Sequence, residues 1–173
     1  MNAEVWLERA EDRSAALHVE SAAFGRAEEA AIVEQVRDEA DSFALVAVVD
    51  EEIVGHVQLS RAWIGSEAVL ALGPIGVLPD HQGRGIGSAL VRAALEEAER
   101  RGEVAMILLG SVDYYPRFGF RPASSWGLRN PFTGVEEDGF MLASLGGPDN
   151  PFTGEVRWHP AFGPAVEAPG EPR

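Results

Sequence analysis

The residues with the clearest chemical potential lie between Leu72 and Leu90, in the run LGPIGVLPDHQGRGIGSAL. A strand-like apolar stretch leads into a turn carrying Gly83, Gly85 and Gly87, and an amphipathic helix follows at once. The first N–H groups of a helix have no intrahelical partner and carry the positive end of its dipole. On residues without a Cβ they can close around a phosphate. Arg84 and His81 can add positive charge there, and Ser88 offers a hydroxyl in the first helical turn. Two familiar phosphate patterns do not fit. A P-loop needs Gly-Lys-Ser/Thr, and the chain has no lysine. A dinucleotide fingerprint needs a glycine in its sixth place, which is Ser88 counted from Gly83 and Leu90 counted from Gly85. Three glycines alone fit a ligand-free turn equally well.

Absent residue types remove whole chemistries. Without lysine there is no Schiff-base chemistry, and without cysteine no thiol nucleophile, disulfide or thiolate metal site. The four histidines are scattered with no His-x-x-x-His spacing, so no metal site is expected. No Gly-x-Ser-x-Gly elbow marks a serine hydrolase. The chain has 173 residues and sets 14 arginines against 28 acidic groups, a net charge of −14. Such a charge repels nucleic-acid backbones and favours a cationic small molecule or basic peptide as partner. Residues 1–41 hold eleven of the acidic groups and are expected to form a solvated acidic surface. Met1–Ala10 carries Glu4 and Glu8 and lacks an apolar core, and no apolar run is long enough to span a membrane. The expected location is the cytoplasm.

The elements that must position the glycine turn can be read from periodicity. Strands are expected at 4–9, 43–49, 53–59, 69–78 and 104–109, and helices at 11–24, 28–39 and 85–101. Asp12 is placed to cap the first helix and Gly25 to end it. Gly55 implies a bulge or a close backbone approach, and Gly73-Pro74 a kink or bulge in its strand. Residues 113–118 can make a helical turn, with further strands after Phe118 and at 140–145 and 155–158. The pentapeptide Asn-Pro-Phe-Thr-Gly recurs at 130–134 and 150–154 and reads as two similar turns. One domain over 1–163 is expected, with a Pro/Gly/Glu-rich tail at 164–173. The fold class is mixed α/β (α+β) with a mostly antiparallel sheet.

A second signature lies downstream, Tyr114-Tyr115-Pro116-Arg117-Phe118-Gly119-Phe120. Together with Gln82-x-x-Gly85-x-Gly87 it resembles the GNAT superfamily of acyl-CoA-dependent N-acyltransferases, and within it the small bacterial acetyltransferases. The resemblance implies a central sheet with helices on both faces and a splayed strand pair. It implies acetyl-CoA as cosubstrate, with the pyrophosphate on Gln82, Gly83, Arg84, Gly85, Ile86, Gly87 and Ser88. The pantetheine arm would pair with the strand edge at Ile75, Gly76 and Val77, like an added strand. Tyr115, four residues before the Gly-Phe pair, becomes the candidate acid for the leaving thiolate. Tyr114 is expected to pack or to line the acceptor site. Glu20, His56, Glu67 and Asp113 are candidate bases, and no spacing selects among them. The implied reaction is direct transfer to an amine in a ternary complex. The alternative is an acyl-CoA sensor or inactive partner subunit. A homodimer, if formed, would use residues 138–160.

Overall fold

Alternating apolar residues in the first half of the chain pair into an antiparallel meander. In the computed structural model, which describes residues 2–132, 136–145 and 152–163, β1 (Glu4–Leu7), β2 (Phe43–Val49), β3 (Glu52–Ile64) and β4 (Glu67–Val77) lie side by side in chain order. Two helices, α1 (Arg13–Phe24) and α2 (Glu28–Val36), are inserted between β1 and β2. A third, α3 (Ile86–Arg100), carries the chain to β5 (Ala105–Leu109), which lies parallel to β4. Beyond β5 the sheet continues through β7 (Phe140–Ser144) to β6 (Arg121–Pro122), both antiparallel. A last short strand, β8 (Val156–Arg157), returns to pair with Trp63 and Ile64 of β3. The sheet is therefore mixed and mostly antiparallel, as expected from the sequence.

Local residue choices explain how the meander is held. The β2–β3 connection is a two-residue turn in which Asp50 and Glu51 both adopt positive φ, at 49° and 66°. That geometry matches the twist of the flanking strands even without the usual Asn-Gly pair. The two sides of Gly55 then do different jobs. The register slips beside it, between Ala47 and Val48. A Cβ on Gly55 would lie 3.0 Å from both Ile86 and Leu90, so α3 is seated directly on the bare backbone. The bulge and the close approach are both present. The Gly73-Pro74 peptide is cis, and these two residues stand opposite Gln58 alone, so β4 bulges there.

Strand alternation splits the interior into two faces. Val57, Leu59, Leu70, Leu72, Ile75 and Val77 share one face with Ile86, Leu90 and Val91 of α3. On the other face, α1 and α2 cover His56 and Gly76, which are cross-strand partners. Three expectations need correction. Asp12 does not cap α1; its carboxylate accepts from the Arg9 backbone N–H and the Trp6 indole, closing the turn before the helix. The second helix stops at Val36 rather than residue 39, because the chain turns through Asp41 at φ 64°. The acidic run at 1–41 is not all solvated, since Asp12, Glu20 and Glu29 are buried. The expected tail at 164–173 and parts of both Asn-Pro-Phe-Thr-Gly segments lie outside the described residues. Asn130 of the first copy does form an Asx turn, its side-chain oxygen accepting from Phe132 N–H at 2.9 Å.

Because Leu90 is fully buried between α3 and the β2–β4 strands, Leu90→Ala should lower stability by about 2–5 kcal/mol, read by denaturant unfolding.

Candidate active site

The site begins where the sheet stops being continuous. β4 and β5 are joined only at Leu70–Met106 and Ala71–Ile107. Past the Gly73-Pro74 bulge, Ile75, Gly76 and Val77 remain paired with β3 on one side. Their other edge has no ladder partner among the described residues. Buried strand groups demand partners, so an extended amide-bearing chain fits this edge.

At the end of that edge the glycine turn opens α3. Gly83 and Gly85 take φ +73° and +82°, conformations that favour glycine, and Gly85 forms the N-cap of the helix. The Gln82 amide donates to the Val77 carbonyl at 3.0 Å and ties the loop back to the strand. A cavity of about 270 Å³ lies here, walled by Val77, Gln82, Gly83, Gly85, Ile86, Gly87 and Ser88. His81, Tyr114 and Arg117 complete its wall. Among the described residues its ionisable lining is His81, Tyr114 and Arg117 with no carboxylate, although the whole chain is strongly acidic. Helix N-terminal amides, left-handed glycines and a lining free of carboxylates give this cavity the chemistry to hold an anion such as a phosphate.

The structure therefore brings Val77 and most of the loop residues together. The others face elsewhere, although their backbone is continuous with the edge and the loop. Arg84 faces a neighbouring cavity of about 250 Å³ with Asn2, Ala3 and Ala89. Ile75 is buried toward α3, and Gly76 faces α1.

The two tyrosines occupy different surroundings. Tyr114 reaches the cavity, and its hydroxyl pairs with Ser88 at 3.0 Å. Arg117 lies over the Tyr114 ring at 4.6 Å and donates to the Tyr114 carbonyl at 2.8 Å, fixing the turn. Sequence reasoning did not foresee the Ser88–Tyr114 pair or Arg117 in the cavity wall. Their separation of 26 residues leaves no periodic signal. Tyr115 is only 1% exposed. Its ring is seated on Gly110, just past β5, and meets Tyr114 and Phe120 edge-on at 5.0 and 5.9 Å. It thus stands on the β5 side of the gap.

The candidate bases also sort by place. Glu67 and Asp113 are exposed, and Glu67 begins β4, at the opposite end from the loop. Glu20 and His56 meet in the interior, with Glu20 Oε1 and His56 Nδ1 2.6 Å apart. Burial raises the Glu20 carboxyl above the ordinary carboxylate range; the His56 contact opposes this and Glu29 adds to it. Among the described residues, no group of three or more His, Cys, Asp or Glu side chains could hold a metal ion. No described helix is long and apolar enough to cross a membrane.

A sheet splayed beside a glycine-led helix N-terminus is the architecture of an acyl-CoA transferase, and the comparisons agree. The chain belongs to the acetyltransferase (GNAT) family, whose pattern it matches over residues 6–120. It is 32% identical over 156 residues to the uncharacterized N-acetyltransferase YjhQ of Escherichia coli, covering 84% of this chain and 86% of that one. The crystal structure of the Escherichia coli GNAT protein YhbS in complex with CoA superposes with a TM-score of 0.85 at 28% identity, covering 94% and 92% of the two chains. A GNAT acetyltransferase from Brucella melitensis, solved with acetyl-CoA, gives 0.76 at 32% identity, with 93% and 98% covered.

A Cβ at Gly110 would come within 2.8 Å of Tyr115 Cδ2, and a ring cannot yield as a flexible chain can. Gly110→Ala is expected to cost about 1–3 kcal/mol in thermal or denaturant unfolding and to disturb the tyrosine environment in near-UV circular dichroism.

Proposed function

We propose that the chain is an acetyl-CoA-dependent N-acetyltransferase that transfers the acetyl group directly to an amine. The observation that carries this reading is the unpaired β4 edge at residues 75–77 running straight into the glycine-led N-terminus of α3. Bound acetyl-CoA supplies the activated acyl group as a thioester. The backbone N–H groups of residues 83–88 hold the pyrophosphate, and Gln82 holds the loop in shape. The edge at Ile75, Gly76 and Val77 pairs with the amides of the pantetheine arm. No cysteine is present to carry an acyl-enzyme, which favours direct attack over a two-stage route.

Tyr115 is assigned as the acid that protonates the departing sulfur. It lies on the β5 side of the gap, in a dry aromatic cluster where a positioned phenol can donate without competition from water. Tyr114, paired with Ser88 at the loop, is assigned to holding the cofactor. The acidic surface favours a cationic acceptor. The same fold is compatible with an acyl-CoA sensor; such a protein would bind acetyl-CoA and turn over no amine.

Calorimetric titration with acetyl-CoA, CoA and ADP tests the cofactor assignment, and micromolar binding of the CoA species is expected. Gly85→Glu should abolish it, because a carboxylate and a strained backbone would replace the phosphate cradle. Retained binding would remove the loop from the site. Tyr115→Phe should lower kcat about 100-fold with acetyl-CoA affinity unchanged, whereas Tyr114→Phe should chiefly weaken binding. The reverse pattern would exchange the two roles.

A further inference from the structure

The face of the sheet opposite α3 carries an unusual burden of buried polar groups. His56, Gln58 and Ser60 alternate along β3 on the side covered by α1 and α2, and all three are buried. Glu20 of α1 is buried against His56, and Glu29 of α2, also buried, lies close enough to Glu20 to act on it electrostatically. The carboxyl of Glu20 uses one oxygen on His56; the other, Oε2, has no hydrogen-bond partner among the described residues. A buried carboxylate oxygen left without a donor is costly, and a fold that keeps one needs a reason. Its position supplies the reason. A Cβ on Gly76 would lie 2.9 Å from Glu20 Oε2, so the oxygen rests against β4 at the residue whose outer edge is unpaired.

We infer that Glu20 is the proton acceptor for the amine, with His56 as the positioning residue behind it. This rests on the transferase reading above. An ammonium acceptor gives one proton to Glu20 Oε2, so an N–H bond breaks and an O–H bond forms. The freed nitrogen lone pair makes the N–C bond, and the C–S bond breaks. The second proton leaving nitrogen balances the one taken up by sulfur, so one proton is released per turnover. His56 is the exit from Glu20. Its Nδ1 meets Glu20 Oε1, and its Nε2 faces Glu8 Oε1 at 3.6 Å. Glu8 in turn lies 3.4 Å from Arg37 Nη2 at the end of α2. Among the described residues the dyad is faced by Glu8, just past β1, with Arg37, just past α2, behind it, and by Glu29 of α2, which is paired with Arg26.

The arrangement gives acid and base opposite sides. Gly55 and Val77 face α3, whereas their neighbours His56 and Gly76 face α1. Tyr115 belongs to the α3-side cluster, and Glu20 to the other side. A thioester held at the β4 edge would thus be flanked by a donor from one layer and an acceptor from the other. Burial raises the proton affinity of this carboxyl above that of an ordinary carboxylate, which favours it as a proton acceptor.

The test compares wild type with Glu20→Gln on two probe nucleophiles, spermidine and hydroxylamine. Spermidine is protonated at neutral pH and needs a base, whereas hydroxylamine is not protonated and does not. Acetyl-CoA affinity by calorimetry should stay within about twofold, while kcat with spermidine falls about 100-fold and the acid limb of its pH profile disappears. The hydroxylamine rate should fall far less. Equal losses with both nucleophiles, or no loss, would overturn the assignment. If Glu20→Gln does not fold, His56→Gln serves instead, and should displace the acid limb while leaving acetyl-CoA binding intact. Wild type that fails to bind acetyl-CoA would refute the loop reading instead. Wild type that binds it yet acetylates neither probe would refute the transferase reading, and the base with it.

Discussion

The interruption of β4 at Gly73-Pro74 is the constraint around which the site is organised. Upstream of it, Leu70 and Ala71 pair with β5 and the sheet is continuous. Downstream, β4 keeps its β3 partner and loses the other. A proline can offer the ladder no N–H, and a glycine at φ 137° lets the strand change course. From that one change follow the free edge, the direction in which the chain enters the glycine turn, and the placement of α3. The helix is then pressed onto Gly55 of β3, so the loop at its N-terminus is anchored from below as well as by Gln82 from behind.

The two faces of the sheet are built by different rules. Toward α3, the residues of β2, β3 and β4 form a continuous apolar core. Toward α1 and α2, the middle of β3 is polar at every second position, Glu20 of α1 is buried against it, and Glu29 of α2 is buried nearby. An apolar replacement set would be the cheaper way to cover that face, since desolvated ionisable groups cost free energy unless fully satisfied. The polar face lies beside the free edge, whereas the apolar face supports the glycine turn and the helix it opens. The buried carboxylates and imidazole thus lie in one layer, and the apolar core with the buried Tyr115 in the other.

Much of this was legible in the sequence because it depends on local signals. The glycine turn, the following helix, the bulge at Gly73-Pro74 and the close approach at Gly55 are each encoded by a residue type with few alternatives. The limits of α2 were not legible, because residues 37–39 keep helical composition while the chain must turn at Asp41 to enter β2. The solvated reading of residues 1–41 failed for a similar reason: charge counts carry no information about which carboxylates meet a buried imidazole. Glu20 and His56 are 36 residues apart and lie on different elements, so only the fold brings them together. That Tyr114 and Tyr115 part was expected from the sequence, but the pairing of Tyr114 with Ser88, 26 residues away, was not. Adjacent aromatics diverge according to a turn, and it is Gly110, with no side chain of its own, that makes room for the second ring.

The joint between β4 and β5 consists of two residue pairs, which leaves the sheet as two half-sheets: β1 to β4, and β5 with β7 and β6. β8 reaches back from the end of the chain to clasp β3. A strand-like ligand lying along the open edge would act as a shim between the halves as well as a reactant. Its binding free energy would then add to folding stability, by about 2.7 kcal/mol at a hundredfold excess over Kd. Resistance of this chain to proteolysis would then rise with the concentration of that ligand and fall as it is withdrawn.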